Sequence, residues 1–216
     1  MVSVEERIKK WRFQSQLDDC WSTNVYNILI DLRNRINDRG PRLSYRQIRE
    51  AIEYSRRGWG AFDIPIGRVV GKLNKELRPL GYRMEEAFNQ SFGELVKIIR
   101  DDSCSLPLVG VSSGYLASPR IAQPYDIIGE PVADLDHILV VLRADEDTVS
   151  AFDSLARFNK GGRGIRGVVE ITTPLFMTIW NEARCGSQWC MFIRFTPEKD
   201  RMKEGLKTLD EYGELK

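Results

Sequence analysis

An α+β domain is predicted, with helices first and an antiparallel sheet second. Up to about residue 103 the apolar residues recur at helical spacing behind capping signals. From about residue 104 onward, short apolar runs alternate with turn residues, the pattern of strands. The 216 residues are enough for one substantial core, or for two small lobes sharing a cleft. Residues 1–196 are therefore read as a single domain, with a helical half at about 1–103 and a sheet half at about 104–196. A highly charged tail, 197–216, follows. There is no internal repeat and no obvious linker.

Residues 4–12 form a short amphipathic pattern. A second helix opens near Cys20 and runs to about Asn37, with Val25, Ile28, Leu29 and Leu32 on one buried face. Gly40 and Pro41 stop it. Ser44 and Gln47 fit a capping box ahead of Ile48, Ala51 and Ile52. The segment Arg56, Arg57, Gly58, Trp59 breaks the pattern and reads as a solvated turn with a buried Trp. Pro65 suits the first turn of a helix over 65–78, with Val69, Val70 and Leu73 inward. Ser91 and Glu94 cap a helix over 91–100.

The second half changes character. Residues 106–111 and 137–142 read as strands, separated by a loop at 113–134 without periodicity. A loop that long inside a domain is often functional. Asp145, Glu146 and Asp147 make a turn, and 148–152 returns as the second strand of a hairpin. The Gly-rich run 160–164 lacks the ending of a phosphate loop and reads as a flap. A strand at 168–171 leads into a helix capped by Thr172 or Thr173, with Pro174 in its first turn, running to about Ala183. Phe176 and Trp180 on that helix are core packing. Residues 191–195 form a last strand.

Composition narrows the function. Hydrophobic residues make up 42% and charged residues 29%, as in a folded soluble protein. Lys plus Arg number 32 against 31 Asp plus Glu, so no broad nucleic-acid footprint is expected. No apolar run reaches the length of a membrane span, and the N-terminus lacks the apolar core of a secretion signal. A cytoplasmic location with reduced thiols is expected, which argues against a disulfide between Cys185 and Cys190. The four cysteines form no CxxC pair and there is a single histidine, so a structural metal site is not expected, nor any cofactor.

Chemistry concentrates at Cys20. A thiol at a helix start meets unpaired N–H groups and partial positive charge, which favour the reactive thiolate. Gln14 stands six residues before it and Trp21 directly after; His137 opens an apolar strand, and Asp153 ends the next strand sixteen residues later. In this order and spacing the chain resembles the papain-like cysteine peptidases, most closely the C39-like group. The resemblance implies a papain-like fold in which the nucleophile helix packs against the antiparallel sheet. It also implies a catalytic Cys20, His137 and Asp153, with Gln14 at the oxyanion hole.

The residues are chemically suited to those roles. His137 is the one imidazole available to pair with the thiol, and Asp153 can reach it from the neighbouring strand. A Gln14 amide and the Cys20 backbone N–H would stabilise a developing oxyanion, by about 3–4 kcal/mol per donor. Gln16 is a rival to Gln14 at another spacing. Asp18 and Asp19 would raise a nearby thiol's pKa, unless they face solvent or Asp19 caps the helix. Asp136 is an alternative orienting group, though it should point to the opposite face of its strand.

The expected activity is that of a cysteine peptidase, or a related thiol amide hydrolase or acyl transferase, acting on a peptide or protein. The alternative is a binding module of the same fold that holds a peptide without cutting it. A nucleic-acid-associated protein using the Arg56 and Arg163 regions ranks third. Oligomeric state is not readable from the sequence.

Overall fold

The structure is a computed structural model that describes residues 3–13, 20–35, 41–51, 66–112, 136–156 and 165–196. Among these residues the chain runs α1 (Val4–Ile8), α2 (Cys20–Arg35), α3 (Tyr45–Ala51), α4 (Ile66–Leu77), a 3-10 turn (Arg78–Leu80) and β1 (Tyr82–Ala87). It continues through α5 (Phe92–Arg100), β2 (Leu108–Ser112), β3 (Asp136–Ala144), β4 (Thr148–Phe152), β5 (Val168–Thr172), α6 (Thr173–Asn181) and β6 (Cys190–Phe195). The fold is α+β. One six-stranded sheet has the order β1-β6-β2-β3-β4-β5, and every pairing in it is antiparallel. No helix among the described residues is long and apolar enough to cross a membrane.

Helices cover both faces of the sheet, which explains the unbroken apolar run of β3. Alternate side chains on a strand face opposite ways. Ile138, Val140 and Leu142 join a core with Val25, Ile28, Leu29 and Leu32 of α2. Leu139 and Val141 join a second core with Leu95 and Ile98 of α5 and with Phe176 and Trp180 of α6. Trp21 and Trp189 meet edge to face at 6.2 Å, and Trp180 Nε1 donates to the Trp189 carbonyl at 2.7 Å.

The sheet has one strand more than the sequence suggests. β1 comes from the helical half and pairs only with β6, at the sheet edge. It buries Tyr82 and Met84 and leaves Arg83, Glu85 and Glu86 partly open, so its apolar alternation is too sparse to stand out. A buried amide fixes it. Asn74 of α4 accepts from Met84 N at 2.7 Å and donates to Met84 O at 3.0 Å.

Several element ends move. α1 stops at Ile8, where Trp11 N donates to the Ile8 carbonyl at 2.8 Å, so the helix does not reach residue 12. Released from the helix, Trp11 packs edge-on against Phe152 at 4.9 Å. β2 begins after Pro107, which has no N–H to give but accepts from Val141 N at 3.0 Å. Thr172 is the N-cap of α6 without a side-chain cap bond, and the Thr173 hydroxyl instead donates to the Asp145 carbonyl at 2.9 Å. The capping boxes at Ser44–Gln47 and Ser91–Glu94 form as the sequence predicts. The segments at 52–65, 113–135 and 157–164 and the tail 197–216 lie outside the described residues.

Gly167 shows how tightly the sheet end is built. Its φ is +82°, and a Cβ there would stand 2.5 Å from the Phe152 ring. Gly167→Ala should therefore destabilise the fold by more than about 1 kcal/mol. Gly71 lies inside α4 with nothing within 4 Å of an added Cβ. Gly71→Ala should stabilise by roughly 0.5–1 kcal/mol. Urea denaturation of both variants checks the pair; equal midpoints would contradict the packing at Gly167.

Candidate functional site

The helix that opens at Cys20 differs from the amphipathic element expected. From Cys20 to Leu32 every residue of α2 except Tyr26 is buried, so the helix is enclosed nearly all round. A buried polar stripe runs down it. Cys20, Asn24, Asn27 and Asp31 fall at helical spacing along one side, and each has a partner. Asp31, fully buried, takes a two-pronged ion pair from Arg7 of α1, with Nη2 to Oδ2 at 2.7 Å. Asn27 accepts from Arg12 N at 2.8 Å and donates to Arg12 O at 2.9 Å, which pins the segment leading towards Cys20.

At the head of this stripe the structure brings three of the sequence-predicted residues together. Cys20 is the first residue of α2, His137 is the second residue of β3, and Asp153 follows the last residue of β4. The Cys20 side chain lies against the His137 ring, close enough to raise its proton affinity. His137 Nε2 donates to Asp153 Oδ1 at 2.8 Å. With Nε2 committed to the carboxylate, Nδ1 is the ring nitrogen left for the sulfur. Asp153 is in turn held in a turn of its own. Its Oδ1 accepts from Leu155 N at 2.8 Å, and its backbone N donates to the Gly167 carbonyl at 2.8 Å. Behind it, Phe152 is wedged between Trp11 and Phe13, at 4.9 and 5.3 Å.

Cys20, His137 and Asp153 are 5%, 3% and 0% exposed, so their charges act with little screening by water. Burial opposes a charged imidazole at His137. The Asp153 carboxylate beside it, and then the Cys20 side chain, outweigh burial and push the ring up to about 10. Burial pushes Cys104 up to about 11 and, with the Glu94 charge second, Cys190 to about 12. Cys185 rises higher still, from burial first and the Asp136 carboxylate second. All four cysteines are free, so Cys185 and Cys190 are not bridged.

No family model matches the chain, and no curated protein matches it.

Asp136 is occupied elsewhere. Its carboxylate accepts from the backbone N of Arg184, at 2.9 Å, and of Cys185, which staples the start of β3 to the turn after α6. Gln14, Gln16, Asp18 and Asp19 lie outside the described residues. Among the described residues no group of three or more His, Cys, Asp or Glu side chains is arranged to hold a metal ion.

Sequence reasoning missed Asn24. Its Nδ2 donates to the Ile138 carbonyl at 2.8 Å and towards the Ser154 hydroxyl at 3.4 Å. The available signal was the pair Asn24 and Asn27 in a helix interior, where Asn is a poor helix former and needs a reason to stay.

The chain has one histidine, so a single imidazole resonance reports this site directly. The ring should remain protonated through pH 8 and titrate at lower pH in Asp153→Asn. A native midpoint near the ordinary 6.5 would contradict the coupling. Because the folded value lies above the unfolded one, the pair stabilises the fold fully below about pH 6.5 and loses that contribution as pH rises towards 10. Thermal midpoints should therefore fall between pH 6.5 and 8.5 in the native protein, and fall less in Asp153→Asn.

Proposed function

We propose that this chain is a papain-like thiol enzyme, nearest the C39-like peptidases, that breaks or transfers an acyl group at a peptide or related amide bond. One observation carries the reading. The chain's only imidazole is hydrogen-bonded to a fully buried carboxylate and lies against a helix-start thiol.

The chemistry follows from that arrangement. The Cys20 thiolate attacks the carbonyl carbon, forming a C–S bond and moving the carbonyl electrons onto oxygen. Oxyanion stabilisation falls to the Cys20 backbone N–H and, in this reading, to Gln14. Protonated His137 gives its proton to the leaving nitrogen as the C–N bond breaks, which leaves a thioester on Cys20 and a neutral ring. Water or an acceptor amine then attacks the thioester, His137 takes the proton, and the acid or new amide departs as the thiolate reforms. Asp153 holds the ring orientation and stabilises its charge throughout.

The near-complete burial of Cys20 and His137 favours a second reading, a module of the same fold that grips a peptide without cutting it. Thiol reactivity separates the two. At pH 6, iodoacetamide should label Cys20 at least about tenfold faster than Cys104, Cys185 or Cys190, whose thiols burial keeps protonated. In a peptide-library digest, Cys20→Ala should lower turnover by more than about 10³-fold with the fold intact. Equal labelling of the four cysteines, with no cleavage or acyl transfer, would discard the enzyme and leave the binder.

A further inference from the structure

We infer that Asn24 is a positioning residue that holds the base and its carboxylate in register with the nucleophile. The inference rests on the proposed triad and concerns how its three parts are kept aligned.

Those parts come from three separate elements: α2, β3 and the turn after β4. Asn24 stands one helical turn below Cys20, about 6 Å along the axis. Its single amide nitrogen reaches the residue that follows each of the other two members. Ile138, whose carbonyl accepts at 2.8 Å, follows His137; Ser154, whose hydroxyl lies at 3.4 Å, follows Asp153. One NH₂ group thus ties the strand carrying the imidazole and the turn carrying the carboxylate to the helix carrying the sulfur. Asn24, Ser154 and the Ile138 side chain are all fully buried, so water does not compete for these bonds.

The orientation of the amide is fixed by the same contacts. Turning it over would set Oδ1 against the Ile138 carbonyl, acceptor against acceptor. As placed, Oδ1 is buried with no hydrogen-bond partner among the described residues. An aliphatic residue at position 24 would avoid that desolvation cost and suit a helix better. What it would not supply is the two donors. The amide is retained at a cost to packing, and the groups it reaches are the ones beside the catalytic pair. Asn74 shows the contrast. It is a buried amide satisfied at both ends by Met84 of β1, with no bond to β3 or to the turn after β4.

The test uses iodoacetamide as the probe and reads Cys20 alkylation at pH 6 and pH 9 in the full chain. Native protein should alkylate Cys20 at pH 6 at least about tenfold faster than any of its other three thiols. Asn24→Ala should lower the pH 6 to pH 9 rate ratio at least about tenfold, as expected when a catalytic pair slips out of register. Asn24→Ser, which keeps one shorter donor, should fall between the two. Asn74→Ala should lose stability but keep the native ratio, because it removes a buried amide without touching the triad. Should Asn24→Ala fail to fold, Asn24→Ser carries the test. A native ratio in the folded Asn24 variant overturns the inference and leaves the enzyme reading standing. Absence of any low-pH preference for Cys20 in the native protein overturns the triad itself, and this inference with it.

Discussion

A helix buried nearly all round keeps polar side chains at a heavy cost unless they are answered, and α2 meets that cost with a partner for each residue of its polar stripe. Between Cys20 and Leu32 it encloses a thiol, two carboxamides and a carboxylate together with its aliphatic residues. Arg7 meets Asp31, the Arg12 backbone meets Asn27, and the β3 backbone meets Asn24. These bonds are directional where aliphatic packing is not. Aliphatic contacts alone would let α2 slide or rotate against the sheet at little cost. The polar stripe sets one rotation and one height, and Cys20 is placed at its upper end as a consequence.

The sheet contributes the other half of the geometry. β3 is enclosed on both faces, so it cannot shift towards either core without opening a void in the other. His137 sits at the end of that strand, and Asp153 lies just past the end of its neighbour. Diagonal neighbours on one face of an antiparallel pair are close enough for long side chains to meet, and the 2.8 Å bond between ring and carboxylate uses that reach. Aromatic packing behind the carboxylate gives the turn a rigid floor. Trp11 and Phe13, which precede Cys20 in sequence, press on Phe152, which precedes Asp153. The chain entering α2 and the chain leaving β4 therefore constrain each other at the site.

Much of this was legible in the sequence, for identifiable reasons. Capping boxes are local chemistry, and Ser44–Gln47 and Ser91–Glu94 form as written. The apolar hairpin strands at β3 and β4 carry a strong β signal, and their ends placed His137 and Asp153 close to one another. Strand β1 was not legible, because an edge strand with one buried side and charged neighbours has almost no period-2 contrast. The full enclosure of α2 was not legible either. Its apolar residues mark one buried side, whereas the other side is buried through hydrogen bonds to backbone groups far away in sequence. Asn24 meets Ile138 across 114 residues, and no local pattern encodes such a partner. Position 14, singled out by the resemblance to the C39-like group, falls outside the described residues, so Gln14 stays an element of the proposal.

Burial and charge pull against each other at this site, and the balance has consequences for the whole molecule. An isolated imidazole in a dry pocket would be driven neutral. At His137 the Asp153 carboxylate reverses that outcome, and the Cys20 side chain adds to it. The ring can then carry a proton in a place largely closed to water. The same coupling makes proton uptake part of folding, because the unfolded chain binds that proton less tightly. Raising the pH therefore weakens the fold through the His137–Asp153 pair. A substitution that relaxed the pair to gain alkaline stability would also remove the charge beside Cys20. The acid–base property of the site and the pH profile of the fold thus have a single physical origin, the carboxylate held in the turn after β4.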